Sequence, residues 1–305
     1  MMNWKIGSDP ELFLKNKSDG SFYSAYNGFG TALKGTKADP EATSYGACQV
    51  DGMAVEINTV PTEEPEEFSS LIAEALDDIR KRFPEQDIDT KSIVNLDPEF
   101  IKAQPLEARE LGCDPDYDAY RNGQENEIQK EKPIRTAGGH IHIGWGEDIN
   151  INSPHHIKMC CEAARQLDLA IGLWSLDHDV EGMERRKMYG APGAFRPKSY
   201  GIEYRTLSNF WVFDKDLTET VMKRTLAAMD ALADDKYMFR DFAQKNNMYS
   251  LHPYLGQAIR LGYKESHGID RYTFDHSNVK WINIWGLPAM IEEVLKPYME
   301  ARNAA

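Results

Sequence analysis

The chain has 305 residues, of which 41% are hydrophobic, 28% charged and 10% aromatic, the balance of a globular protein large enough to bury a substantial core. Its 49 acidic residues against 35 basic ones give a net charge of −14, which argues against sequence-independent binding to nucleic acid, since that needs a basic footprint. No run approaches the ~18 apolar residues of a membrane span, and the polar start Met1 to Phe13 lacks the basic and apolar regions of a secretory signal, so a cytoplasmic location is expected.

Residues 4–15 (WKIGSDPELFLK) read as a first strand, and the alternating 53–60 (MAVEINTV) as a second. A helix over 65–83 follows, because Pro65 suits a first helical position and Glu63, Glu64, Glu66 and Glu67 favour a helix N-terminus. Residues 84–135, rich in Asp, Glu, Pro, Asn and Gly, read as a long irregular connection of the kind that covers a site. Residues 139–145 (GHIHIGW) alternate strictly and form a third strand. Ser153 and Pro154 then open a helix reaching to 176. A fourth strand spans 200–207. Asp216 caps a helix with Leu217, Val221, Met222, Leu226 and Met229 on one face. Lys280 to Trp285 reads as a fifth strand, and Pro288 to Asn303 as the last helix.

No repeat or flexible linker interrupts this order, so one domain over 1–305 is expected, with the motifs in 6–210 and a helical portion over 215–305. Strands come first with helices between and after them, which makes the class α+β. Neither a G-x-G-x-x-G nor a P-loop signature is present. Cys48, Cys113, Cys160 and Cys161 form no C-x-x-C pair and read as small buried thiols.

Strand residues two apart share a face. On that rule Asp9 pairs with Glu11, Glu56 with Asn58, His140 with His142 and Glu203 with Arg205, each opposite an apolar face. Taken singly, each pair also reads as a solvated strand face, a turn or a structural ion pair. Taken together, Asp9, Glu11, Glu56, His140 and Glu203 could not stay ionised on a common buried face without counter-charge, and divalent cations are the natural source. Oxygen ligands with one or two imidazoles suit Mg²⁺ or Mn²⁺, with Zn²⁺ a further candidate. Gly7, Gly52, Gly138, Gly139, Gly144 and Gly201 flank these positions and suggest close backbone approach to a ligand or sharp bends.

A basic, glycine-punctuated run follows, with five cations at 185, 186, 187, 196 and 198 and glycines at 190 and 193. It reads either as a solvated loop or as a phosphate-binding segment, because arginine forks grip phosphate oxygens. Carboxylates able to hold metal beside such a segment imply a metal–nucleotide complex and phosphoryl transfer.

The blocks GSDPELFL (7–14), DGMAVEINTVPT (51–62), GGHIHIGW (138–145) and the stretch from Arg186 to Leu207 containing YGAPGAFRPK and YGIEYRTL resemble the phage-type carboxylate–amine ligases. These are type 2 amidoligases of the glutamine synthetase and glutamate–cysteine ligase superfamily. The resemblance implies a curved, mostly antiparallel sheet with helices on its convex side and the site on its concave face. It further implies ATP, with Mg²⁺ or Mn²⁺, and a small-molecule or peptide carboxylate joined to an amine through an acyl phosphate; the charge and the lack of a long apolar run add the expectation of no nucleic acid and no membrane partner. Carried onto this chain, Asp9, Glu11, Glu56, His140 and Glu203 become metal ligands. His142 lies towards the nucleotide. Arg186, Arg196 and Arg205 hold phosphates, and Glu203, Arg196 and Arg205 surround the transferring group. A metal-dependent hydrolase built on the histidines and carboxylates, and a non-catalytic phage protein on the ligase scaffold, are the alternatives.

Overall fold

A computed structural model describes residues 3–29, 39–109, 116–125, 133–179, 181–186, 188–238, 240–241 and 287–304. The strand expected at Lys280 to Trp285 lies outside them, as do Cys113 and Lys187. The architecture mixes helices with antiparallel sheet and includes one strongly curled, half-barrel sheet. Among the described residues no helix is long and apolar enough to cross a membrane.

The first sheet runs, in spatial order, β1 (Lys5–Ser8), β12 (Ile141–Gly144), β14 (Gly201–Tyr204), β13 (Ala194–Lys198), β9 (Tyr117–Asp118) and β10 (Gln124–Glu125). A second follows the path β3 (Phe22–Tyr23), β2 (Glu11–Asn16), β6 (Ala54–Thr59), β5 (Gly46–Asp51) and β4 (Glu41–Thr43), with β7 (Gln86–Asp89) also pairing with β2. β8 (Ile93–Asn95) and β11 (Ile134–Thr136) form a two-stranded ribbon.

The segment expected as one strand over 4–15 is two strands in different sheets, broken at Asp9–Pro10. Proline has no N–H to donate to a ladder, and here it marks the crossing point. The Pro10 carbonyl accepts from Ile57 N at 3.0 Å, while Glu11 N already donates to Gly138 O at 2.9 Å. This break sends Asp9 and Glu11 to separate groups of side chains.

Alternation builds the core of the first sheet. Ile6, Ile143 and Ile202 lie side by side in register and are fully buried. They belong to one apolar cluster with Cys160, Ala163, Ala164 and Leu167 of α4 (Pro154–Leu167). Burial of an isoleucine contributes roughly 1.5–3 kcal/mol. The opposite face of these strands is free to carry polar groups.

Helix α1 (Pro65–Arg82) follows the expected span, with Glu66 and Glu67 in its first turn and Arg80, Lys81 and Arg82 in its last, each matched to the helix dipole. Its buried residues Phe68, Ile72, Ala75, Leu76 and Ile79 recur at helical spacing. Helix α6 (Lys215–Ala233) packs on α1 and on the carboxy-terminal helix Leu287–Asn303. Its cap is Asp214, whose carboxylate accepts from Leu217 N at 3.0 Å, so Asp216 falls in the first turn instead.

Two further expectations are corrected. The helix projected to 176 ends as α-helix at Leu167 and continues as a π turn, Asp168–Gly172, with Leu173 N bonding Asp168 O at 2.6 Å. Asp168 is fully buried and accepts from Tyr204 Oη at 2.6 Å, and this tie to the sheet accompanies the widened turn. Residues 84–135, read as irregular, contain β7, β8, β9 and β10 with the short helices α2 (Pro98–Ala103) and α3 (Leu106–Arg109) among the described residues. Their polar composition suits short edge strands as well as loops.

Candidate functional site

Register fixes the first layer of the site. Gly7 lies opposite His142, His142 opposite Glu203, and Glu203 opposite Arg196, so one row crosses β1, β12, β14 and β13. A second row on the same face runs through Asp9, His140 and Arg205, each two residues from a member of the first.

Asp9 is the hinge of the first group. Its Oδ1 lies 3.0 Å from His140 Nδ1 and its Oδ2 3.2 Å from His142 Nε2. Burial pushes the Asp9 carboxyl up, but the charges and hydrogen bonds of His142 and His140 more than offset it and hold it well below the usual carboxylate range. His142 responds in the opposite sense: burial lowers it, and Asp9 outweighs that and raises it. Its other nitrogen, Nδ1, contacts the Tyr200 hydroxyl. Burial, then Arg205, holds His140 well below its ordinary value and therefore neutral. Glu203 is 1% exposed, lies 3.6 Å from His140 Nδ1, and is raised by burial and by Asp9.

The second group is Glu11, Asp51 and Glu56. Glu11 sits directly opposite Glu56 across β2 and β6. Asp51 reaches them from the end of β5, where Gly52 at φ 59° permits the tight return into β6. Gly138 N donates to Glu11 Oε2 at 2.8 Å, and Gln49 Nε2 donates to Glu56 Oε1 at 2.7 Å. Burial first, and Asp51 second, push the Glu11 carboxyl up to about 7.

Ligand atoms of Asp9, His140 and Glu203 all lie within 4.8 Å of one another, as do those of Glu11, Asp51 and Glu56. An all-carboxylate set suits Mg²⁺ or Mn²⁺; the set with an imidazole suits Mn²⁺ and Zn²⁺ as well. The upward shift of Glu11 reflects burial and crowding that a bound cation would relieve, so the donor sets fit divalent ions.

Cations close the site. Arg205 pairs with Glu203 and places its Nε 2.7 Å from Asp116 Oδ1. Lys198 Nζ lies 2.6 Å from Glu203 Oε2, and Arg196 Nη1 lies 4.0 Å from Glu203 Oε1. Arg185 is fully buried and donates to the Thr206 carbonyl at 3.1 Å, with its Nη2 3.4 Å from His140 Nε2. Burial pulls Arg185 down to about 10.

The structure thus brings Asp9, His140, His142, Glu203, Arg196 and Arg205 together, with Glu11 and Glu56 in the neighbouring acidic group. Arg186 is placed elsewhere: it donates to Ser175 Oγ at 2.8 Å and lies 3.6 Å from Asp179 Oδ2. Its neighbour Arg185 takes the position beside His140. Asp51, Asp116 and Tyr189 also belong to the site without having been singled out as site residues, and Lys198 of the basic run joins them. The Asp51–Gly52 turn ahead of Glu56 was a usable signal for the first of these. Gly138 and Gly139 serve the protein's own packing: a Cβ on Gly138 would come within 2.2 Å of His140 Nε2, and one on Gly139 within 2.6 Å of Trp211 Nε1, while Gly52 makes the sharp bend that was the other expectation. Cys48, Cys160 and Cys161 are buried free thiols, as expected.

No curated protein matches the chain. A family model does match, over residues 133–276, which takes in His140, His142, the basic run and the Glu203–Arg205 strand. The matched family is described as phage phiEco32-like COOH.NH2 ligase-type 2, and this chain is similar to it over that segment.

Proposed function

We propose that the chain is an ATP-dependent carboxylate–amine ligase that uses Mg²⁺ or Mn²⁺ in the cytoplasm of a phage host. The overall reaction joins a carboxylate and an amine, with ATP, into an amide, ADP and phosphate; the oxygen lost by the carboxylate leaves with the phosphate. The carrying observation is the contact of Glu203, one of the potential metal ligands Asp9, His140 and Glu203, with Arg196, Lys198 and Arg205, beside a second carboxylate set of Glu11, Asp51 and Glu56. A hydrolase would leave that cationic cluster without a task.

In this reading Asp9, His140 and Glu203 hold one divalent ion, and Glu11, Asp51 and Glu56 another. Bound ATP and its ions supply the phosphoryl group and screen the charge on it. Arg205 and Arg196, shared at rest with Asp116 and Glu203, are placed to take up negative charge on a phosphoryl group entering beside them. Lys198 is the most exposed cation paired with Glu203, and would be freed if that carboxylate held a metal ion. His142, whose imidazole is raised by its contact with Asp9, lies on the same row as Glu203. The antiparallel sheets that carry both groups support a glutamine-synthetase-like arrangement in one catalytic unit, with the concave face as the site.

The test is incubation with ATP, Mg²⁺ and a pool of amino acids and polyamines, followed by mass analysis. Products lighter by one water than an acid–amine pair, with ADP released in equal amount, are expected. ADP release that ignores added acid and amine would point to a hydrolase instead, and intact ATP would remove the ligase reading.

A further inference from the structure

Arg185, Arg196 and Arg205 converge around one aromatic ring. The Arg205 guanidinium carbon lies 4.9 Å from the Tyr189 ring centroid and that of Arg185 lies 5.5 Å from it, both within the range of cation–π attraction. Arg196 Nη2 donates to the Tyr189 hydroxyl at 3.4 Å. His140 meets the same ring edge-on, with centroids 6.4 Å apart. The loop is pressed against these arginines because residue 190 is glycine at φ 67°; a Cβ there would come within 2.3 Å of Arg185 Nη1 and 2.6 Å of the Arg205 carbonyl.

The charges around the ring are compensated unequally. Arg205 has both Glu203 and Asp116. Arg185, though fully buried, has no carboxylate within ion-pair distance among the described residues; Glu11 and Asp179 act on it only from farther away. A buried cation without compensation is costly. A carboxylate beside it would solve that problem, but would also cancel positive charge that a cationic site for phosphate needs. An aromatic face offers negative potential without a net charge.

We propose that Tyr189 is a positioning residue that serves as the uncharged counter-group for Arg185 and Arg205 and anchors Arg196 through its hydroxyl. It thereby fixes the arginine cluster without a further carboxylate beside Arg185. The effect on ATP use rests on the ligase reading; the ring–arginine contact does not.

The test replaces Tyr189 by phenylalanine and then by mono-, di- and trifluorophenylalanine, which weaken the face of the ring at nearly constant shape. Two quantities are read: the melting temperature of the ligand-free protein, and kcat/KM for ATP with saturating Mg²⁺. Both are expected to fall stepwise with fluorination. Tyr189→Phe stays within about threefold of the wild type in kcat/KM, and Tyr189→Leu falls by about tenfold or more. A melting temperature indifferent to fluorination overturns the ring–arginine contact. A stepwise melting temperature with flat kcat/KM confines Tyr189 to stability and overturns its positioning role. A wild type that neither binds nor consumes ATP defeats the ligase reading, while the melting series still decides the contact.

Discussion

Glu203 holds Lys198 at 2.6 Å through a carboxylate that is 1% exposed, while its other oxygen faces His140 and Arg205. A divalent ion bound by Glu203 therefore competes with Lys198 for the same group. Lys198→Ala removes the competitor, so divalent affinity should rise by about tenfold, the scale of one lost charge–charge contact in a partly exposed pair. Titration with Mn²⁺ followed by electron paramagnetic resonance measures it. Weaker binding in the variant would show that Lys198 orients Glu203 for the ion and does not compete with it.

Asp51→Asn should move two measurements in opposite directions. Asp51 is the second cause of the raised Glu11 carboxyl, so losing its charge relieves repulsion and stabilises the metal-free protein, by about 1 kcal/mol. The same change removes an anionic oxygen from the Glu11, Asp51 and Glu56 group, and divalent affinity should fall more than about tenfold. Urea melts in chelator and calorimetric metal titration give the two readings. Affinity that stays at the wild-type level would remove Asp51 from the ligand set.

A pH dependence follows from Glu11. Its folded-state value, about 7, lies above that of an ordinary glutamate, so between about pH 4.5 and 7 the folded chain holds a proton that the unfolded chain has released. Stability from this group is complete below that window and is lost as pH rises through it. In chelator, the wild type should therefore lose stability relative to Glu11→Gln as pH goes from 4.5 to 7. Saturating Mg²⁺ or Mn²⁺ should flatten the difference, because the ion takes the proton's place. Parallel wild-type and Glu11→Gln curves in chelator would show that Glu11 ionises normally.

What was legible in the sequence is what strand periodicity encodes. The alternation of Ile141, His142 and Ile143 placed both histidines on one face, and the same rule placed Glu203 beside Arg205. Periodicity could not show that Lys5 to Asn16 changes sheets, since it treats an unbroken alternation as one strand; Pro10 was the only local sign. Arg185 and Arg186 were indistinguishable because α5 (Gly182–Arg186) is too short to have a recognisable face, yet successive helical residues point about 100° apart. Asp116 lay in a stretch whose composition resembles a loop, and its approach to Arg205 and Arg196 gives it a role. Tyr189 became visible only once three arginines had been placed around it.

The divergence of the arginines yields the last prediction. Arg186 is 4% exposed and shares Asp179, Ser175 and the Gly172 carbonyl, so Arg186→Ala strands a buried carboxylate and should cost about 3–5 kcal/mol of stability. Its activity loss should then follow the unfolded fraction and recover at lower temperature. Arg196 is more open, and its links to Glu203 and Asp116 are 4.0 and 3.9 Å long. Arg196→Ala should keep its melting temperature within a few degrees and lose ATP turnover by about a hundredfold, the scale of one missing charge-stabilising donor. Thermal melts and ADP-release rates on the two purified variants separate these outcomes. If Arg186→Ala melts like the wild type but no longer uses ATP, Arg186 reaches the phosphates in the working enzyme and its pairing with Asp179 is a resting arrangement.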